Sequence, residues 1–172
     1  MNYAGLNPND VVNGEGVCVS FWVQGCPHSC PGCFNPETWS FEGGLPLPTD
    51  IKGEIIKALT ANGIERNFSI LGGEPLCEQN KELVNEIILS VRTALPHIKI
   101  FLWTGYEFKL LKKQSKRDIV VNSILNNIDV MITGPFIKEK KDLTLKWMGS
   151  SNQECWEKKH NKWKKINFLE NK

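Results

Sequence analysis

The chain has 172 residues, six cysteines, 21 Lys and Arg against 19 Asp and Glu, and a formal net charge of +2. That length suits one domain with its own core, and so small a charge gives no argument for nucleic acid. No apolar run approaches the roughly 20 residues of a membrane helix. Met1 to Asp10 lacks the basic-then-apolar pattern of an export signal, so the thiols are expected in a reducing cytoplasm.

Val17 to Val23 is a short β-rich apolar run and reads as a strand that stops at Gln24-Gly25. A loop rich in Pro and Gly follows, carrying Cys26, Cys30 and Cys33. Thr49 or Asp50 is suited to cap a helix with Ile51, Ile55, Ile56 and Leu59 on one face, closed by Gly63. Phe68 to Leu71 is a second strand. It leads into Gly72-Gly73-Glu74-Pro75 and then a helix with Leu83, Val84, Ile87, Ile88, Val91 and Leu95 at helical spacing, ended by Pro96. Ile98 to Trp103 is a strand, Ile119 to Leu125 a short helix, and Asp129 to Thr133 a strand that runs into Gly134-Pro135-Phe136. After Gln153 the chain is basic and aromatic, and 156–172 reads as an extension, either an edge strand around Trp163–Leu169 or a solvated tail. Strand–helix alternation argues for an α/β domain over 1–155 with a mostly parallel sheet. Ligands bind beyond the carboxyl ends of such strands. The cysteine loop, Gly72–Pro75, Thr104-Gly105-Tyr106 and Gly134–Phe136 are therefore expected on one face.

The cysteine spacing is C-x3-C-x2-C, three thiolates where a closed metal site takes four. One reading is a [4Fe–4S] cluster with one iron open to a ligand that is not protein. Another is structural zinc with His28, Cys18 or Cys77 as the fourth ligand, which would make the chain a zinc or electron-transfer module. A disulfide framework falls away in a reducing compartment. The glycine pair Gly72-Gly73 permits close approach of a ligand to the main chain, and Glu74 supplies a carboxylate suited to an ammonium group. The plainer alternative is a strand-to-helix turn with Glu74 solvated and Pro75 opening the helix.

Together, C-x3-C-x2-C and a strand-end Gly-Gly-Glu-Pro resemble the radical S-adenosylmethionine superfamily. The resemblance narrows with Asn13–Gly16, Gly25–His28, Pro31–Trp39, Trp103–Tyr106, Asp129–Phe136 and Trp147–Gln153 in this order. That succession is similar to the activating proteins of the anaerobic (class III), glycyl-radical ribonucleoside-triphosphate reductases, and it spans Met1 to about Gln153. It implies a single-domain partial (βα) barrel and one [4Fe–4S] cluster held by Cys26, Cys30 and Cys33. S-adenosylmethionine would lie at the open iron, with Gly32, Cys33 and Phe34 against the adenosyl group and Gly72, Gly73 and Glu74 at the methionine amino end. No catalytic side chain is implied beyond cluster and cofactor. The implied reaction is reductive cleavage of S-adenosylmethionine, then removal of a hydrogen from a glycine Cα in the large reductase subunit, with an unidentified low-potential electron donor. Activases of other glycyl-radical enzymes share the chemistry but generally lack a Gly149–Gln153 segment, which is therefore expected to serve the partner. Thr104–Tyr106 and Asn152-Gln153 are expected at the pocket or the partner surface. Thr133 stands where relatives commonly carry an acidic residue, so no charge-based role transfers to it. Cys18, Cys77 and Cys155 are expected as structural thiols.

Overall fold

The computed structural model describes residues 1–168; Leu169, the last residue of the expected edge strand, and the rest of the extension lie outside the described residues. Twelve regular elements follow one another: β1 (Asn2–Asp10), β2 (Cys18–Val23), β3 (Leu45–Pro46), α1 (Ile51–Leu59), β4 (Asn67–Gly72), α2 (Lys81–Ala94), β5 (Ile100–Thr104), α3 (Phe108–Gln114), α4 (Ile119–Asn127), β6 (Val130–Thr133), β7 (Glu154–Lys159) and β8 (Lys162–Ile166). The strands form one sheet in the order β3-β1-β2-β4-β5-β6-β7-β8. The α/β class is as expected, but the sheet is mixed rather than mostly parallel. β2, β4, β5 and β6 pair in parallel. β1 and β3 on one flank and β7 and β8 on the other pair antiparallel. The sheet is open, with β3 and β8 as its edges. Among the described residues no helix is long and apolar enough to cross a membrane.

Local chemistry explains the helices. Asp50, not Thr49, caps α1, its carboxylate accepting from Gly53 N at 3.1 Å. Asp118 does the same for α4, accepting from Val120 N and Val121 N. α2 buries Val84, Ile87, Ile88 and Val91 on one stripe, each fully buried side chain worth about 1.5–3 kcal/mol.

The two faces of the sheet are covered differently. Alternation along β5 sends Ile100 and Leu102 to the core shared with the helices, and Phe101 to a second cluster with Val130, Ile132 and Cys155. On that second face Trp103, Trp147, Met148, Ile166 and Phe168 pack against the cluster. Parallel register then sets the loops level: Val23 lies across from Gly72, and Thr104 from Thr133. The chain leaves β2, β4, β5 and β6 on one side, as the alternation predicts.

Candidate iron–sulfur and ligand site

A cavity of about 460 Å³ opens at this edge. Cys26, Cys30 and Cys33 line it, together with Phe34, Gly72, Gly73, Glu74, Thr104 and Gly105. The segments after β2, β4, β5 and β6 all reach it, the last through Gly134 and Phe136. Gly32, placed by resemblance beside the adenosyl group, is not among the lining residues; it turns with φ +74°, against the stem of Lys138.

The cysteine loop is anchored at its start. Gly25 N donates to Thr38 O at 2.9 Å and Cys26 N to Trp39 O at 3.0 Å. Cys26, Cys30 and Cys33 are free and partly exposed, whereas Cys18, Cys77 and Cys155 are buried and none of these three lines the cavity. Burial pushes the Cys26 thiol up to about 11 and raises Cys30 as well. Binding iron therefore requires these thiols to give up protons that they otherwise hold at neutral pH. Among the described residues no three His, Cys, Asp or Glu gather closely enough to hold a single metal ion. Of the fourth ligands that the zinc alternative offers, Cys18 and Cys77 are buried and do not line the cavity, while His28 lines it with Nε2 hydrogen-bonded to Glu74 Oε2 at 2.9 Å. Three thiols spread along one roomy, partly apolar cavity fit a cluster, which separates its ligands, better than a point ion.

Glu74 is 1 % exposed and is neither solvated nor idle. Its Oε1 accepts from Leu76 N at 2.9 Å and Thr104 Oγ1 at 2.7 Å. Its Oε2 accepts from Gly105 N at 2.7 Å and from His28 Nε2. One carboxylate thus ties the cysteine loop to the ends of β4 and β5. The glycine pair has a related purpose. A Cβ on Gly73 would sit 2.3 Å from Gly25 O, and Gly72 has φ +105° with a would-be Cβ 2.8 Å from Val23 O. The close approach that these glycines permit is to the cysteine strand's own backbone, where Gly73 N donates to Val23 O and Glu74 N to Gly25 O.

Sequence reading missed Asn80. It is 3 % exposed, and its Nδ2 reaches Gln24 O, Gly25 O and Glu74 O at 3.1, 3.2 and 3.0 Å. An Asn before a helix reads as a cap, yet this one makes no capping bond. Of the residues expected at pocket or partner, Thr104, Gly105 and Gln153 line the cavity. Tyr106 packs edge-on to His28 at 4.7 Å, and Asn152 Nδ2 donates to Pro135 O. Ser150 is fully buried, accepting from Ile137 N. Thr133 is also buried, its hydroxyl turned toward Glu154 O.

The profile of the 4Fe-4S single cluster domain family matches residues 12–156. The anaerobic ribonucleoside-triphosphate reductase-activating protein of Pasteurella multocida is 38% identical over 154 residues, 89% of this chain and 95% of that protein. The chain belongs to the anaerobic ribonucleoside-triphosphate reductase-activating protein family. The member from Escherichia coli K12 is 36% identical over 89% of this chain and 96% of its own. The member from bacteriophage T4 is 36% identical over 95% of this chain and 99% of its own.

Proposed function

We propose that this protein activates an anaerobic ribonucleoside-triphosphate reductase, holding three irons of one [4Fe–4S] cluster through Cys26, Cys30 and Cys33. S-adenosylmethionine is the second cofactor, framed by Cys33 and Phe34 on one side and Gly72, Gly73 and Glu74 on the other, with the turn at Gly32 outside the cavity lining. One observation carries this reading: three accessible thiols and the Gly72–Glu74 turn line the same cavity, while the buried cysteines line none of it. When bound, the pair supplies reductive cleavage of the sulfonium and hydrogen abstraction from a glycine Cα of the large reductase subunit, with the electron coming from a low-potential donor protein or cofactor.

The chain's own residues position and enclose. The Gly73–Gly25 approach fixes the spacing between the cysteine loop and the turn that faces it. Phe34 and Phe136, with ring centroids 4.9 Å apart, make an apolar wall beside Cys33. Trp103, Trp147 and Met148 continue that wall on the helix-free face. We read the open sheet as the incomplete barrel of a radical S-adenosylmethionine enzyme. Its mouth, with Val12, Phe34 and Leu143 exposed around it, suits a protein substrate that must bring backbone to the cavity. The reaction belongs in a reducing, oxygen-free cytoplasm.

The test is anaerobic reconstitution with iron and sulfide, followed by reduction with S-adenosylmethionine and the large reductase subunit. The expected result is a brown protein with about four irons, release of 5′-deoxyadenosine, and a glycyl EPR signal on the reductase. A chain that retains zinc and cleaves no S-adenosylmethionine would overturn the proposal.

A further inference from the structure

His28 lies between two of the cysteines, in a stretch with Pro27 and Pro31 and no helix or strand. The loop is tied at Cys26 through Trp39 O and turned by the bond from Cys33 N to Cys30 O; His28 gives it a side-chain tie to the floor of the cavity. Ser29, the next residue, has φ +46°, a left-handed conformation uncommon for a side chain and held only when its surroundings demand it. The neighbouring imidazole is one such constraint. It bonds Glu74 Oε2 at 2.9 Å and meets the Tyr106 ring edge-on at 4.7 Å. Because the carboxylate can only accept, His28 donates from Nε2.

The floor is shaped for this ring. Gly105 has no Cβ, and one placed there would stand 2.5 Å from His28 Cδ2 and 2.7 Å from Nε2. Glu74 is itself immobile, since Leu76 N, Thr104 Oγ1 and Gly105 N occupy its other acceptor positions. A rigid carboxylate, a seat cut for an imidazole and an aromatic side wall make a latch. It closes across the sheet from the segment after β2 to the ends of β4 and β5.

We propose that His28 is a positioning residue: its bond to Glu74 latches the Cys26–Cys30 segment to the cavity floor and so sets the cysteines in register with the ligand-facing turn. The inference rests on the iron–sulfur reading above and adds a residue to it. His28 lines the cavity, and the role assigned to it is exerted through Glu74 on the placement of the loop. Outer partners of metal ligands typically change metal affinity by roughly 10-fold to 100-fold when removed, so the latch should be visible in how long the protein keeps its iron.

The experiment compares anaerobically reconstituted wild type, His28→Ala, His28→Gln, Gly105→Ala and Arg66→Gln. It follows iron loss to a ferrous chelator and the change that S-adenosylmethionine causes in the EPR spectrum of the reduced protein. Thermal unfolding of each protein before reconstitution serves as the folding control. Expected are loss of iron at least about ten-fold faster and a weakened EPR change in His28→Ala and in Gly105→Ala, which evicts the ring without altering it. His28→Gln, whose amide can reach Glu74 as a donor, should return to near wild type. Arg66→Gln breaks buried bonds to Pro8, Ala61 and Ile64, none of which lines the cavity, and should keep its iron although it weakens the fold. Wild-type iron retention in His28→Ala overturns the proposal, as does a His28→Gln that fails as fully as His28→Ala, or an Arg66→Gln that loses iron equally fast. A wild type that takes up no iron overturns the iron–sulfur reading instead.

Discussion

Asp10 is 5 % exposed and accepts from Val12 N, Asn13 N, Asn13 Nδ2 and Ser20 Oγ. Burial by itself would raise this carboxyl, but the bonds from Asn13, Val12 and Ser20 outweigh it and hold the group below the usual carboxylate range. A depressed folded-state pKa stabilises the protein above the unfolded value of about 3.9, and that stability is lost as pH falls through the lower folded value. Asp10→Asn should therefore cost on the order of 2 kcal/mol at neutral pH, and the gap from wild type should shrink in acid. Urea unfolding between pH 7 and pH 3 measures this; a constant gap contradicts it. Four donors meet the buried Glu74 carboxylate, so Glu74→Gln should be destabilising by roughly 1–3 kcal/mol. A glutamine turns an NH2 toward donors that previously met a carboxylate oxygen, and equal denaturant midpoints would show that the donors rearrange freely. Cysteine variants divide by position. Cys26→Ala, Cys30→Ala and Cys33→Ala should lose bound iron. Cys18→Ala, Cys77→Ala and Cys155→Ala should keep it, because their thiols are buried away from the cavity, that of Cys155 pushed up to about 12 by burial. Iron analysis of the six proteins decides, and loss from Cys77→Ala equal to that from Cys30→Ala would refute the assignment.

Among elements, those that bury a continuous face were readable in the sequence, and those that border solvent were not. β2, β4, β5 and β6 are apolar runs because both their faces are covered, and α1, α2 and α4 carry stripes at helical spacing. β1 reads Asn-Tyr-Ala-Gly-Leu-Asn-Pro-Asn-Asp and buries only its last residue fully, so no alternation marks it as a strand. α3 is a single lysine-rich stretch of seven residues with Phe108 and Leu111 buried, too short for its period to show. The basic segment after Gln153 proved to be the β7–β8 hairpin, continuing the sheet from β6 with Cys155 across from Ile132. Its tryptophans are anchors for α3: Trp156 stacks on Phe108 at 3.8 Å and Trp163 meets the same ring edge-on at 5.9 Å. Trp156→Ala should consequently cost about 2–3 kcal/mol, toward the low end for a large-to-small change because the ring is only partly buried. A solvated tail would lose less than about 0.5 kcal/mol, so chemical denaturation separates the two cases.

For the whole molecule, convergence of four loops followed from parallel strands and was legible; which side chain meets which was not. No spacing rule pairs His28 with Glu74 across 46 residues or sends Asn80 to three carbonyls. The expectation for Gly149–Gln153 likewise changes once its bonds are known. Gln153 Oε1 accepts from Gly149 N at 2.8 Å and Ser150 N at 3.3 Å, while Nε2 donates to Gly134 O at 2.9 Å. These bonds consume the amide within the protein and hold the loop that carries Trp147, Met148 and Gly149 into the cavity. Trp147 has φ +64°, and its indole N–H donates to Gly14 O while its carbonyl accepts from Trp103 Nε1. The loop thereby bridges to the segment after β1 across the helix-free face. A segment dedicated to the partner would leave cofactor cleavage intact when mutated. A segment that shapes the cavity would disturb cleavage and transfer together. The geometry favours the second outcome for Gln153→Ala. Reductive S-adenosylmethionine cleavage without the reductase and glycyl radical formation with it should fall by a common factor, roughly 10-fold to 100-fold, as misplaced reacting groups do. Parallel assays of 5′-deoxyadenosine and glycyl spin on one preparation test this. A preserved cleavage rate with lost spin would return the segment to the partner surface.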